Sequence, residues 1–243
     1  MRMFNFAKRN FKELIRDPLS IIFQIILPIF LLFIFQEFNI PSDNYKLENF
    51  TPGIILFGYS FVTLFTASLI AKDKSSSLLI RLGTSPMKPR DFILGYIISL
   101  ISIIIMQDIV FFIVACMLGL NFSISIIYTI LISIIISSLF ISLGILIGSL
   151  VSERGTGGVG SIIVQLVCFT SGMYFPKESV GSVFAKICEL LPFESCLNII
   201  RGILNNNLDI ITNWNVITFM LYTVAVLTIS IICFKNKMIS DNK

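Results

Sequence analysis

The chain alternates long apolar runs with short polar interruptions, and its first eighteen residues follow a different pattern from the rest. There, Phe4, Ala7, Phe11, Leu14 and Ile15 recur at helical spacing, with Lys8, Arg9, Lys12 and Arg16 on the remaining face. This pattern predicts an amphipathic helix lying flat on a membrane surface, its basic side toward anionic headgroups. Apolar runs follow over about 19–35, 52–71, 92–118, 124–150, 159–175 and 214–234. Each is near the ~20 residues that cover a ~30 Å hydrocarbon core, so six transmembrane helices are predicted. Pro28 lies inside the first run and predicts a kink, tolerable where neighbouring helices re-satisfy the freed backbone group. Residues 36–51 are polar and net acidic. Residues 176–213 are only moderately apolar; the pieces 183–191 and 196–204 are helical in pattern but too short to cross a bilayer, and are expected as interfacial or re-entrant helices capping the bundle.

The most informative interruption is 72–91, KDKSSSLLIRLGTSPMKPRD, a polar and basic island between the second and third runs. Ser75, Ser76 and Ser77 offer N-cap side chains, Leu78, Leu79 and Leu82 fall on one face of a short helix, and Gly83 followed by Pro86 stops it. Three leucines displayed on a polar loop make more sense with a protein partner than without one, so the island reads as a docking helix.

Composition places the chain in a class. Of its 243 residues 56% are hydrophobic and 13% charged, and the mean hydropathy is +0.93, which is the profile of a polytopic membrane protein. Loops of this size leave no room for a large soluble domain. Fourteen Lys and Arg residues fall in the N-terminal segment, the island, the turn at Glu153 and the C-terminal tail. Four fall on the other side of the predicted spans. The bias predicts cytoplasmic termini, a cytoplasmic island and an extracytoplasmic cap over 176–213. A cleaved signal peptide fits poorly, since the apolar run comes late and no small-residue cleavage site follows it.

Several chemistries are disfavoured. Histidine is absent and the five cysteines form no C-x-x-C pair, which argues against a metal site or a Cys/His nucleophile. Cys188 and Cys196 could pair if their loop faces an oxidising side, although free thiols are the preferred reading. No phosphate-binding G-x-x-x-x-G-K-[ST] loop occurs. Gly155, Gly157 and Gly160 satisfy G-x-G-x-x-G, but no strand precedes them, and flexible entry with close packing is the better reading. Gly144 with Gly148, and Ser138 with Ser142, are small-residue pairs for close helix contact, within one chain or between two.

Three groups of residues are candidates for function inside the spans. Asp108, beside Gln107, lies mid-span, where a charge is costly and must face the bundle interior. A functional polar contact and a structural hydrogen bond to a Ser or Thr of a neighbouring helix are the two readings, proton coupling being the sharper form of the first. Phe57, Phe61 and Phe65 form an i, i+4 stripe on the second span, and Gln165, Phe169 and Met173 fall on the fifth. Packing or lipid contact is the ordinary role for such residues; lining a pathway for a hydrophobic substrate is the functional one.

The order of motifs resembles the integral membrane subunit of an ATP-binding-cassette transporter, of the type-2 exporter permease family. The resemblance rests on Arg16, Asp17 and Pro18 leading into the first span, AKDKSSSLLIRLGTSPMKPRDFILGYI after the second, and then SERGTGG, FTSGMYFP and LPFESCLNIIRGIL. It departs from the family pattern at Ser75–Ser77, where Gly is common, and at Leu191, where Asn is usual. The resemblance implies two protomers side by side, as homodimer or heterodimer, with a substrate path between them. It also implies two cytosolic ATPase subunits on separate chains, which hold the ATP and Mg, this chain holding no cofactor. Leu78, Leu79, Arg81 and Leu82 would be the coupling helix seated in the ATPase. The implied activity is export of a hydrophobic or amphipathic molecule, such as a drug, an antimicrobial peptide or a lipid-linked compound, across the plasma membrane, with no enzyme in this chain. The rival readings are an ion-coupled secondary carrier using Asp108 and a non-transporting membrane scaffold. An internal repeat and a polar midplane would mark the carrier, and neither is found.

Overall fold

The computed structural model describes residues 2–38, 40–76, 89–175 and 181–240, and these are helical almost throughout, with no strand among them. We number the helices α1 (Arg2–Arg16), α2 (Pro18–Glu37), α3 (Leu47–Ser75), α4 (Pro89–Met117), α5 (Ile124–Leu150), α6 (Glu153–Thr170), α7 (Ser182–Leu190), α8 (Pro192–Leu204) and α9 (Asn213–Ser240). Among the described residues, α2, α3, α4, α5 and α9 are long and apolar enough to cross a membrane. The span predicted over 159–175 falls on α6 and the bend after it; Glu153, Arg154 and the glycines lower the apolar content of this 18-residue helix.

The bundle is built around α3. Most of its length is buried, and α2, α4, α5, α6 and α8 all pack on it. The closest approach is to α5, at the Gly144–Gly148 pair. A Cβ on Gly144 would meet Thr66 Cβ at 2.6 Å and Thr63 O at 2.9 Å, and one on Gly148 would meet Ala67 O at 2.8 Å. Thr63 Oγ1 donates to Phe140 O across the same contact (2.9 Å). The small-residue pair thus serves packing within one chain.

The long helices run alternately between two ends. At one end, which we call the basic end, lie α1, the last turn of α3, the start of α4 and the α5–α6 turn. The C-terminal part of α9 reaches the same end, where Phe234 stands edge-on to Tyr96 at 6.3 Å. At the opposite end, the cap end, Gln36 donates to Tyr45 O (2.8 Å) and Tyr45 Oη to Tyr174 O (2.7 Å). The short helices α7 and α8 also lie there. Asn206 donates to Ser125 Oγ (2.8 Å), joining the end of α8 to the start of α5.

Three local differences from the sequence pattern have physical causes. Pro28 is accommodated by a π-helical turn over Ile22–Ile26, in which Leu27 N–H bonds Ile22 O; this redirects the ladder just before the residue that has no N–H to give. In α1 the buried face is Phe6, Ala7, Asn10 and Leu14, while Phe4 is exposed. Phe6 sets this rotation by standing edge-on to Phe92 (5.5 Å) and Tyr96 (5.0 Å) of α4. The third difference is at 72–76, where α3 continues through Ser75. The hydroxyls of Ser75 and Ser76 donate to Lys72 O and Asp73 O of this last turn.

Candidate functional site

The last turn of α3 carries Lys72, Asp73, Lys74 and Ser75, and each is tied to a different element. Asp73 is only 2% exposed. Its carboxylate accepts from Arg9 of α1 and from Tyr96 Oη of α4 (2.6 Å). Arg9 Nη2 also donates to Glu13 Oε2 (2.9 Å), and Glu13 Oε1 accepts from Lys72 Nζ (2.7 Å), closing a charged circuit between α1 and α3. Burial alone would raise the Glu13 pKa, but Lys72 and Arg9 outweigh it and hold the carboxyl below its ordinary value. Lys74 Nζ donates to Ser149 O and Val151 O (3.1 Å each), where a cation meets the free carbonyls at the end of α5. Ser75 Oγ donates to Glu153 at the start of α6. The stem of the 77–88 segment is therefore fixed to α1, α4, α5 and α6 at once. Leu78, Leu79, Arg81 and Leu82, the predicted coupling residues, lie outside the described residues.

A second polar cluster sits midway along the helices. Asp108 is fully buried, and its Oδ2 accepts from Tyr59 Oη of α3 (2.6 Å) and Ser133 Oγ of α5 (2.8 Å). Gln107 is equally buried and lies against Gly58, where a Cβ would come within 2.2 Å of its amide nitrogen. Asp108 thus links the three central helices through Tyr59 and Ser133, while its Oδ1 is buried with no hydrogen-bond partner among the described residues. Tyr59 does not stand out in the sequence, because a tyrosine inside an apolar run reads as one more aromatic core position. Tyr96, the partner of Asp73, was missed for the same reason.

The aromatic candidates separate. Phe57 and Phe61 are buried within the chain, edge-on to each other at 5.0 Å, with Phe61 stacked on Phe23 of α2 at 5.6 Å. Phe65 is half-buried. Met173 is buried against Gly53. Gln165 and Phe169 are exposed, and at i, i+4 spacing they continue a stripe begun by Gly157 and Ser161 on the face of α6 turned away from α3. The opposite face of α6, with Thr156, Gly160, Val164 and Val167, is buried. Cys188 and Cys196 are not joined in a disulfide among the described residues.

This architecture of apolar helices around a buried α3, with an amphipathic helix clamped to the stem of a polar loop, is matched by one family model. The model describes the ABC-2 type transporter and covers residues 2–205. No curated protein matches the sequence. With the match running through α1, the whole α3 stem, the central polar cluster and α8, the chain belongs to the ABC-2 type transporter family.

Proposed function

We propose that this transporter permease works as the membrane half of an ATP-driven exporter in the plasma membrane. Six spans, α2 to α6 and α9, would place both termini, α1 and the 77–88 loop in the cytoplasm and α7 and α8 outside. The observation that carries the reading is the fixed stem. A loop that receives force from a separate ATPase can pass it on only if its root is rigid, and Asp73, Lys72, Lys74 and Ser75 bind that root to four helices. Closure of an ATPase pair against Leu78, Leu79, Arg81 and Leu82 would then displace α1, α3 and α4 together as a rigid body.

The exposed stripe of α6 supports a substrate path at a protomer interface. Gln165 facing lipid tails would leave its amide without hydrogen-bond partners, whereas facing a second protomer, homologous or identical, it would meet partner or substrate. Phe169 supplies an apolar surface beside it, suited to a hydrophobic or amphipathic cargo such as a drug, an antimicrobial peptide or a lipid-linked molecule. Phe57 and Phe61, packed inside the chain, fit a supporting role for that wall. The rival in which Asp108 couples transport to an ion is less favoured, because Tyr59 and Ser133 give this carboxylate a structural task. The test is co-purification with the ATPase subunit from the native membrane: a stoichiometric ATPase whose turnover depends on this chain supports the proposal, and isolation of the permease alone under conditions that preserve membrane complexes contradicts it.

A further inference from the structure

At the cap end, α8 presents a polar stripe and an apolar one. Phe193, Cys196, Leu197, Ile200 and Leu204 are buried in the bundle. Glu194, Asn198, Arg201 and Asn205 recur at four, three and four residues and share a flanking face, roughly 100° round the helix from the apolar one. The end of this stripe is a clamp: Arg201 Nε donates to Asn49 O (2.9 Å) and Asn205 to Asn49 Oδ1 (2.8 Å), fastening α8 to the start of α3.

The rest of the stripe faces a cavity of about 310 Å³, lined by Glu194, Asn198 and Arg201, by Ser171 at the bend after α6, and by Phe169 and Phe175. Arg201 is not satisfied by the clamp, since its Nη2 is buried and has no hydrogen-bond partner among the described residues. Asn198 makes no side-chain hydrogen bond among the described residues, so its amide can still donate. Burial pushes the Arg201 pKa down, Glu194 opposing, to about 10, which leaves the guanidinium charged at neutral pH. At the rim, Phe169 and Phe175 are each about half exposed (54% and 53%). A guanidinium with an orphan nitrogen, an amide donor and two open aromatic rings in one cavity make a site with a charged floor and an apolar lip.

We propose that this cavity binds the oxyanion head of an amphipathic molecule, a phosphate or carboxylate on Arg201 and Asn198 with the apolar portion against Phe169 and Phe175. Arg suits such a group because its planar fork donates two parallel hydrogen bonds to one oxyanion. The site belongs to the chain whatever the direction of transport. It fits either a membrane phospholipid or a transported amphiphile, since both offer the same head chemistry.

The experiment is native mass spectrometry of the full chain, delipidated in an alkyl maltoside and titrated with dodecyl phosphate, with inorganic phosphate and with dodecanol. We expect one dodecyl phosphate per chain and no comparable binding of dodecanol or inorganic phosphate. Arg201→Gln should weaken dodecyl phosphate at least about tenfold, the loss expected for roughly one charge-assisted hydrogen bond. Because Arg201→Gln also cuts the clamp to Asn49, Asn198→Asp serves as the second variant. It places a negative charge in the cavity, leaves the clamp intact, and should lose binding with an unchanged melting temperature. Competition by the lipids retained before delipidation would identify a phospholipid as the natural occupant, and its absence would point to a transported amphiphile. Equal binding of inorganic phosphate would overturn the amphiphile assignment, and binding unchanged in both variants would overturn the site.

Discussion

At the scale of single residues, the polar side chains inside this bundle separate into ones that hold helices together and ones that face outward. Asp108 belongs to the first group. Its Oδ2 gives two buried hydroxyls, Tyr59 and Ser133, their acceptor, and an Asn side-chain oxygen could accept from both. Asp108→Asn should therefore assemble normally and leave the pH profile of ATP turnover in the reconstituted complex unchanged. Asp108→Leu strands the Tyr59 hydroxyl at about 1–3 kcal/mol, Ser133 keeping Ile130 O as its acceptor, and should lower the melting temperature. Loss of a pH-dependent limb in Asp108→Asn would instead establish proton coupling. Sequence alone made Asp108 conspicuous, since a carboxylate within an apolar run has no ordinary explanation. It could not supply the partners: Tyr59 lies 49 residues away, and only the packing of α3 on α4 reveals that its hydroxyl has a use. Gln165 and Met173 make the same point. The pattern placed both on one predicted span, but only the contacts show that Met173 fills the space over Gly53 while Gln165 is left exposed.

At the scale of elements, each long helix contains an apolar run, because a membrane-length run of Ile, Leu and Phe has few alternatives, but α3 starts five residues before its run and α9 ends six after it. Their polar ends were harder to place. The run on the second span stops at Ala71, yet α3 continues through Ser75. Each charged group of that last turn has a partner on another helix, and those partners are invisible to local propensity. The rotation of α1 was likewise set by the docking of Phe6 onto α4 rather than by its own periodicity. The tie between α1 and α3 has a definite pH dependence. Glu13 has a folded pKa below its ordinary value, so its contribution is complete above the unfolded carboxylate pKa, about 4.3, and is lost as pH falls through the lower folded value. Hydrogen exchange of the α1 amides should show protection retained at neutral pH and lost only in acid below that range. Asp73→Ala should release α1 already at neutral pH. The expected cost is about 2 kcal/mol, less than the ~3–5 of a fully buried pair because Arg9 is about one-third exposed. Protection of α1 unchanged in Asp73→Ala would show that apolar packing alone holds it.

At the scale of the whole molecule, the described helices pack around α3, and the proposed function gives the 77–88 segment a task that depends on another protein. Membership of the ABC-2 type transporter family makes this a transport subunit, and in the function proposed above the energy of transport enters from a separate ATPase. The most direct measurement is co-purification of the ATPase with the double variant Leu78→Asp, Leu82→Asp. The account predicts a permease that inserts in normal amounts, keeps its melting temperature, and loses the ATPase together with its permease-dependent turnover. An ATPase retained at wild-type stoichiometry and turnover would contradict it, and would place the grip elsewhere on the molecule.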